Sequence, residues 1–348
     1  MLANPLSADL DHVLAQTKDL WDELRGQRIL ITGGTGFFGC WLLESFAWAN
    51  DRLGLGAEAV VLTRNPAAFQ QKAPHLAERK DIRFLAGDVR DFPFPEGEFS
   101  HVIHAATETN AKLYDSDPAT MADTIVAGTR RVLEFCRWSR ARKLLLTSSG
   151  AVYGRQPAEV THLGEDFAGA PEPLQPGSVY GEAKRVAEML CVHQARQGVT
   201  EAKLARCFAF VGPYLPLDSH FAAGNFIRDA FRGGPIQVNG DGTPFRSYLY
   251  AADLAIWLWT ILFHGQSARP YNVGSARDLT IAELAATVNR VFGEKLAVSI
   301  ARMPVSGQPP QRYVPSVERA EKELGLREWI NLEEGIRRTV LWHRERRV

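Results

Sequence analysis

The stretch Ile29-Leu30-Ile31-Thr32-Gly33-Gly34-Thr35-Gly36-Phe37-Phe38-Gly39 runs from an apolar strand, through a glycine turn, into a helix predicted over residues 40–49. It satisfies both a GxGxxG and a GxxGxxG spacing. Either pattern is weak alone, but the strand–turn–helix context gives it physical content. Glycines allow the tight turn, let backbone approach a pyrophosphate, and let helix and strand pack closely, while the amides at the helix start attract the anion. A dinucleotide is implied, with Gly33, Thr35, Gly36, Phe37, Phe38 and Gly39 as candidate contacts.

Working outward, the next apolar run, 59–63, ends in Arg64. A dinucleotide fold usually carries Asp or Glu there, for the adenosine ribose hydroxyls. Glu58 precedes that run and is expected at the opposite edge of the sheet. A guanidinium pairs with a 2′-phosphate and stacks on adenine, so NADP is the favoured cofactor and NAD the alternative.

Further short apolar runs at 82–86, 101–105, 143–148 and 202–208 alternate with longer helical stretches. That rhythm predicts an α/β chain built on a Rossmann-type doubly wound parallel sheet, buried on both faces. After Gly212-Pro213 the elements shorten, and turns such as Arg232-Gly233-Gly234-Pro235 and Asn239-Gly240-Asp241-Gly242 intervene, as expected of a smaller C-terminal cap. The expected organisation is a helical extension over 1–26, a sheet domain over 27–212 with returning segments near 246–275, and a cap over 213–245 and 276–348. In the extension, Leu10, Val13, Leu14, Thr17, Leu20, Trp21 and Leu24 recur at helical spacing, predicting a packing helix.

With 348 residues, 45% of them apolar and 23% charged, the composition is that of a globular protein. Lys plus Arg (40) balances Asp plus Glu (40), which leaves no basic field for nucleic acid or an anionic membrane. No window supplies the ~20 apolar residues of a spanning helix. Residues 1–27 carry Asp9, Asp11, Lys18, Asp19 and Arg25 in place of an apolar leader. Cys40, Cys136, Cys191 and Cys207 show no CxxC spacing and the histidines no HExxH, so no metal site is expected. The expectation is a soluble, cytoplasmic protein of a reducing compartment, with four buried thiols.

Tyr180-Gly181-Glu182-Ala183-Lys184 follows Thr147-Ser148-Ser149-Gly150-Ala151-Val152-Tyr153-Gly154 in the chain. On a helix, the (i, i+4) spacing puts phenol and ammonium on one face. At about 4 Å and an effective dielectric of ~20, their interaction is worth about 4 kcal/mol, or about three pKa units. A phenol of pKa ~10 then moves toward neutrality and can exchange a proton with a hydroxyl. Ser149, Tyr180 and Lys184 are the candidate catalytic residues.

Taken in order, from about residue 28 to about 326, these motifs resemble the extended short-chain dehydrogenases/reductases of the NAD(P)-dependent nucleotide-sugar epimerase/dehydratase family. Gly87-Asp88-Val89-Arg90-Asp91 resembles that family's adenine-side segment and implies cofactor contacts from Asp88 and Val89. His104-Ala105-Ala106-Thr107-Glu108 is similar to the segment lining the cofactor; it implies cofactor contacts from Ala105, Ala106 and Thr107 and a substrate contact from Glu108. Arg206 through Gly212-Pro213 resembles the loop beside the nicotinamide, which brings in Cys207. Ser149, Tyr180 and Lys184 match the catalytic trio; Tyr180 and Lys184 would also touch cofactor, and Ser149 substrate. Asn225-Phe226-Ile227, Gly240-Asp241-Gly242 with Arg246, Tyr271-Asn272-Val273-Gly274, and Arg312 resemble the elements that hold the nucleotide diphosphate. Asn225, Arg246 and Arg312 are the expected substrate contacts, which makes the cap substrate-binding.

The resemblance implies a nucleotide-diphosphate sugar substrate and hydride transfer at a sugar carbon, C4, by an epimerase or 4-ketoreductase. It also implies a homodimer formed through helices around 119–136 and 180–197, with Met189, Leu190 and Val192 supplying apolar surface. Two departures bear on the reaction. Family 4,6-dehydratases carry an Asp-Glu pair after the catalytic Ser/Thr, where this chain has Gly150 and Ala151. Neither can transfer a proton, so dehydration would have to recruit another group such as Glu108. Ile125 and Ala209 stand where the family commonly has Asn. An alternative of another class is a non-catalytic NAD(P)-binding regulatory protein; a pure binder needs none of the trio, and this chain keeps all three.

Overall fold

The structure, a computed structural model, describes residues 4–107, 116–219 and 221–346. Helix α1 (Ser7–Thr17) and a 3-10 turn (Lys18–Leu24) lead into β1 (Arg28–Thr32), α2 (Phe37–Leu53), β2 (Glu58–Thr63), α3 (Pro66–Lys72), α4 (Pro74–Ala77), β3 (Ile82–Ala86) and β4 (His101–His104). The chain continues through α5 (Pro118–Ser139), β5 (Lys143–Ser149), α6 (Val179–Arg196), β6 (Glu201–Cys207) and β7 (Phe210–Val211). Next come α7 (Ala222–Phe231), β8 (Ile236–Val238), β9 (Phe245–Arg246), β10 (Leu249–Tyr250), α8 (Ala251–His264) and β11 (Pro270–Val273). The remaining elements are β12 (Leu279–Thr280), α9 (Ile281–Val291), β13 (Val298–Ile300), β14 (Arg312–Tyr313), α10 (Glu318–Leu324) and α11 (Leu332–Glu345).

Seven parallel strands form the central sheet in the order β11-β6-β5-β4-β1-β2-β3. Ile31 of β1 pairs with Val61 of β2 on one side and Ile103 of β4 on the other. The chain thus winds outward from β1 through β3, then returns to β4 and winds the other way. Such a reversal leaves a crevice at the carboxyl ends of β1 and β4, the place where open α/β sheets bind ligands. The expected Rossmann-type sheet is present, each of its first six strands within a residue of its predicted bounds. The last strand, β11, comes from the returning segment and pairs with β6.

Glu58 differs from its expected place in detail. It is the first residue of β2, its carboxylate lying 3.5 Å from Arg28 Nε and 3.4 Å from Arg83 Nη2. The strand end that faces the glycine turn is Thr63.

Helix α8 is buried continuously from Ala251 through Phe263, as a helix apolar all round must be. One side meets β5 and β6, and the others are covered by α1, the 3-10 turn and α2. The N-terminal extension is therefore part of the core. Trp21 packs at 4.6 Å from Trp259, and buried Asp9 accepts from Tyr250 Oη at 2.5 Å while pairing with Arg338 of α11. The cap contributes the three-stranded sheet β12-β9-β14, the β13–β8 pair and helices α7, α9 and α11.

Candidate functional site

A cavity of about 880 Å³ opens over the switch point between β1 and β4. Its walls bring together Gly33, Thr35, Gly36, Phe37 and Phe38 from the glycine turn, Arg64 beyond β2, and Asp88 and Val89 beyond β3. Ala105, Ala106 and Thr107 follow from β4, Ser149 from β5, Tyr180 and Lys184 from α6, Cys207 from β6 and Arg246 from the cap.

The turn's geometry explains its glycines. Gly33 has φ +70°, and a Cβ there would lie 2.5 Å from the Ala105 backbone. Gly39 does not line the cavity; a Cβ on it would lie 2.2 Å from the Gly34 carbonyl carbon, so its role is close packing of α2 on the turn. Beneath the turn, Thr32 Oγ1 accepts from the Ala106 amide at 3.1 Å and lies 2.8 Å from His104 Nδ1. Burial lowers the His104 pKa to about 3, so the imidazole stays neutral between Thr32 and Thr129. The buried Thr107 hydroxyl has no partner among the described residues. A glycine cradle and an unpartnered hydroxyl in one wall fit a dinucleotide lying along the turn.

At the cavity floor, Ser149 ends β5 and its Oγ accepts from the Ala151 amide at 3.1 Å. Tyr180 sits in the first turn of α6, half-buried, and Lys184 one turn later, 2% exposed. Lys184 Nζ donates to the Thr147 carbonyl oxygen at 2.9 Å and lies 5.9 Å from the centroid of the Tyr180 ring. Burial lowers its pKa to about 8.

One further turn along α6, Glu188 accepts from Ser148 Oγ at 2.6 Å and pairs with Arg206 at 2.7 Å. Arg206 Nη1 donates to Tyr153 Oη at 3.0 Å, and Tyr153 donates to Asn272 Oδ1 at 2.7 Å. This network anchors α6 to the sheet. Sequence reasoning missed it, although the four-residue repeat Tyr180, Lys184, Glu188 was a usable signal.

On the cap side the expected substrate residues separate. Arg246 is largely desolvated, which lowers its pKa; Nη1 donates to the Phe245 carbonyl oxygen at 2.8 Å, and no described carboxylate lies within ion-pair reach. Asn225 is not among the lining residues, its Oδ1 accepting from Arg228 at 3.0 Å. Arg312 pairs with Asp278 at 2.6 Å and leaves the lining to its neighbour Tyr313. Glu108 lies outside the described residues.

Gly150 is enclosed: a Cβ there would lie 2.6 Å from Phe208 Cζ and 2.7 Å from Tyr313 Oη. The two rings lie 4.6 Å apart, tilted by 35°. The position that carries an acid in the family's dehydratases is therefore filled by aromatic side chains. Ala209 lines the cavity and Ile125 is buried in α5.

All four cysteines are buried thiols. Among the described residues no cluster of three His, Cys, Asp or Glu is placed to hold a metal, and no helix is long and apolar enough to cross a membrane.

A switch-point cavity that sets a phenol, a buried ammonium and a serine hydroxyl against a glycine turn is the working arrangement of a nicotinamide-dependent short-chain dehydrogenase/reductase. Within that class, the chain belongs to the NAD dependent epimerase/dehydratase family, whose profile matches residues 29–274. The chain is 30% identical over 319 residues to UDP-glucuronic acid decarboxylase 1 of Arabidopsis thaliana, covering 92% of this chain and 70% of that protein. It is 29% identical to UDP-glucuronic acid decarboxylase 1 of Xenopus tropicalis, with 92% and 72% covered. Two solved structures share the fold. One is UDP-glucose 4-epimerase of Thermotoga maritima with UDP-glucose, at TM-score 0.76 and 22% identity, covering 92% of this chain and all of the other (100%). The other is the dTDP-glucose 4,6-dehydratase DesIV of Streptomyces venezuelae with NAD bound, at TM-score 0.76 and 24% identity, covering 92% and 98%.

Proposed function

We propose that the protein is an NADP(H)-preferring enzyme that moves a hydride between the nicotinamide and a sugar carbon, C4, of a nucleotide-diphosphate sugar, acting as an epimerase or 4-ketoreductase. The observation that carries this reading is the floor of the cavity. Ser149, Tyr180 and Lys184 face one space, and the dehydratase acid position beside them is closed by Phe208 and Tyr313.

When bound, the nicotinamide accepts or returns the hydride. Tyr180, as phenolate, takes the proton of the sugar hydroxyl in the oxidising direction and returns it in the reducing one. The Lys184 ammonium favours the anion and would hold the nicotinamide ribose when the cofactor is bound. Ser149 Oγ hydrogen-bonds the reacting oxygen and stabilises charge that develops on it. Arg246, desolvated and without a carboxylate partner among the described residues, is the group to hold the diphosphate. Tyr180→Phe should keep fold and cofactor binding and lower turnover by at least ~10²-fold.

A second reading comes from the decarboxylase relatives. The same C4 oxidation of a nucleotide uronic acid makes the sugar a β-keto acid; its C5–C6 bond breaks with the electron pair passing to the C4 carbonyl, carbon dioxide leaves without a general base, and C5 then takes a proton from water. Incubation with UDP-, dTDP-, CDP- and GDP-hexoses and with UDP-glucuronic acid, read by mass spectrometry together with proton NMR of the sugar ring, separates the readings. An epimer of unchanged mass, or an alcohol from a supplied 4-keto sugar plus NADPH, supports the first. Loss of carbon dioxide supports the second, and a 4-keto-6-deoxy product overturns both.

A further inference from the structure

A second cation stands beside Arg64 at the adenosine end of the cavity. Lys72, the last residue of α3, donates from Nζ to the Thr35 carbonyl oxygen at 2.9 Å. Thr35 Oγ1 in turn lies 3.3 Å from Thr63 Oγ1, which ties the glycine turn to the end of β2. Thr63 is followed directly by Arg64, so Lys72, Thr35, Thr63 and Arg64 frame one corner of the cavity. That corner is where a doubly wound sheet holds the adenosine ribose.

The charges around Lys72 leave its ammonium available to an anion. No carboxylate among the described residues is within ion-pair reach of it; its other neighbours are the Tyr214 ring, 5.6 Å away, and the Cys40 thiol. Burial pushes the Cys40 pKa up to about 11, so that thiol is not a counter-ion. Glu44, one turn further along α2, is taken up by His75 at 2.7 Å, Tyr214 at 2.5 Å and Asn4 at 2.9 Å. Asp88, across the cavity, is held by Arg90 at 2.8 Å, which keeps its carboxyl below the usual range. Among the described residues a ribose 2′-hydroxyl finds no uncommitted carboxylate acceptor in this corner, whereas a 2′-phosphate finds a lysine ammonium.

We propose that Lys72 is a specificity-determining residue that binds the 2′-phosphate of NADP(H), acting with Arg64. The inference rests on the nicotinamide-cofactor reading above and deepens it. Nothing in the sequence marks Lys72, because the register of α3 and its approach to the glycine turn are set by packing.

Calorimetric titrations of the intact protein with NADP+, NAD+, adenosine 2′,5′-bisphosphate and 5′-AMP test it, in the wild type, Lys72→Met, Lys72→Arg and Arg64→Ala. The wild type should bind the 2′-phosphorylated member of each pair at least about tenfold more tightly. Lys72→Met should erase about tenfold of that preference while changing NAD+ affinity by less than about twofold, and Lys72→Arg should restore it. A preference unchanged in Lys72→Met, an equal loss for both members of a pair, or a wild type favouring NAD+ would overturn the assignment. A wild type that binds neither dinucleotide would remove the cofactor reading together with it.

Discussion

Lys184 is 2% exposed, and its burial lowers the pKa to about 8. An unfolded lysine keeps its proton to about pH 10.4, so between those values the unfolded chain binds more protons and stability rises with pH. The buried ammonium therefore costs stability at neutral pH, as expected where a site's charge is chosen for chemistry. Relative to Lys184→Met, the wild type should gain about 2 kcal/mol between pH 8 and pH 10, measured by urea unfolding of both proteins. Parallel curves would remove the assignment.

Gly150 makes a steric argument at the same scale. Gly150→Ala should cost about 1–3 kcal/mol, because its Cβ meets Phe208 and Tyr313, and Phe208→Ala in the same chain should restore part of that loss. Gly150→Asp should yield no 4-keto-6-deoxy product. That Tyr180 and Lys184 line one cavity with Ser149 was legible in the sequence because a helix fixes their four-residue spacing. Arg312 and Tyr313 were not separable in that way: adjacent strand residues face opposite sides, and only the pairing of β14 with β9 shows which one enters the cavity.

Among the elements, the central strands could be read because a doubly covered parallel strand is a plain apolar run. The short paired strands outside the central sheet could not, since β7, β9, β10, β12 and β14 are two residues long and carry no periodicity. The position of α1 was likewise hidden. Its apolar spacing predicted a packing helix, but the surface it covers, α8, is defined only once the sheet is built. Asp9 secures that docking through Tyr250 and Arg338. Asp9→Ala leaves the Tyr250 hydroxyl buried without its acceptor, so a loss of about 1–3 kcal/mol in urea unfolding is expected. Arg338 keeps Glu334, 2.8 Å away, and so adds little to that figure. A loss below about 0.5 kcal/mol would mean that apolar contacts alone hold α1.

For the whole molecule, α5 and α6 each expose a large apolar side chain, Trp138 and Met189. Met189 is 68% exposed and Trp138 49%, the latter tilted against Phe94 at 5.5 Å, while Leu190 and Val192 of α6 are half-buried. Two such helices from each of two copies would make a four-helix interface with twofold symmetry, which is the dimer we propose. In an isologous contact each substitution enters twice, so Met189→Asp introduces two carboxylates into one apolar seam. The same helix carries Tyr180 and Lys184 in its first two turns, and its outer face can be altered without touching either. The wild type should therefore be a dimer by light scattering at micromolar concentration, and Met189→Asp a monomer that retains the fold by circular dichroism. A monomeric wild type would refute the interface. A dimeric Met189→Asp would place it on another face of the molecule.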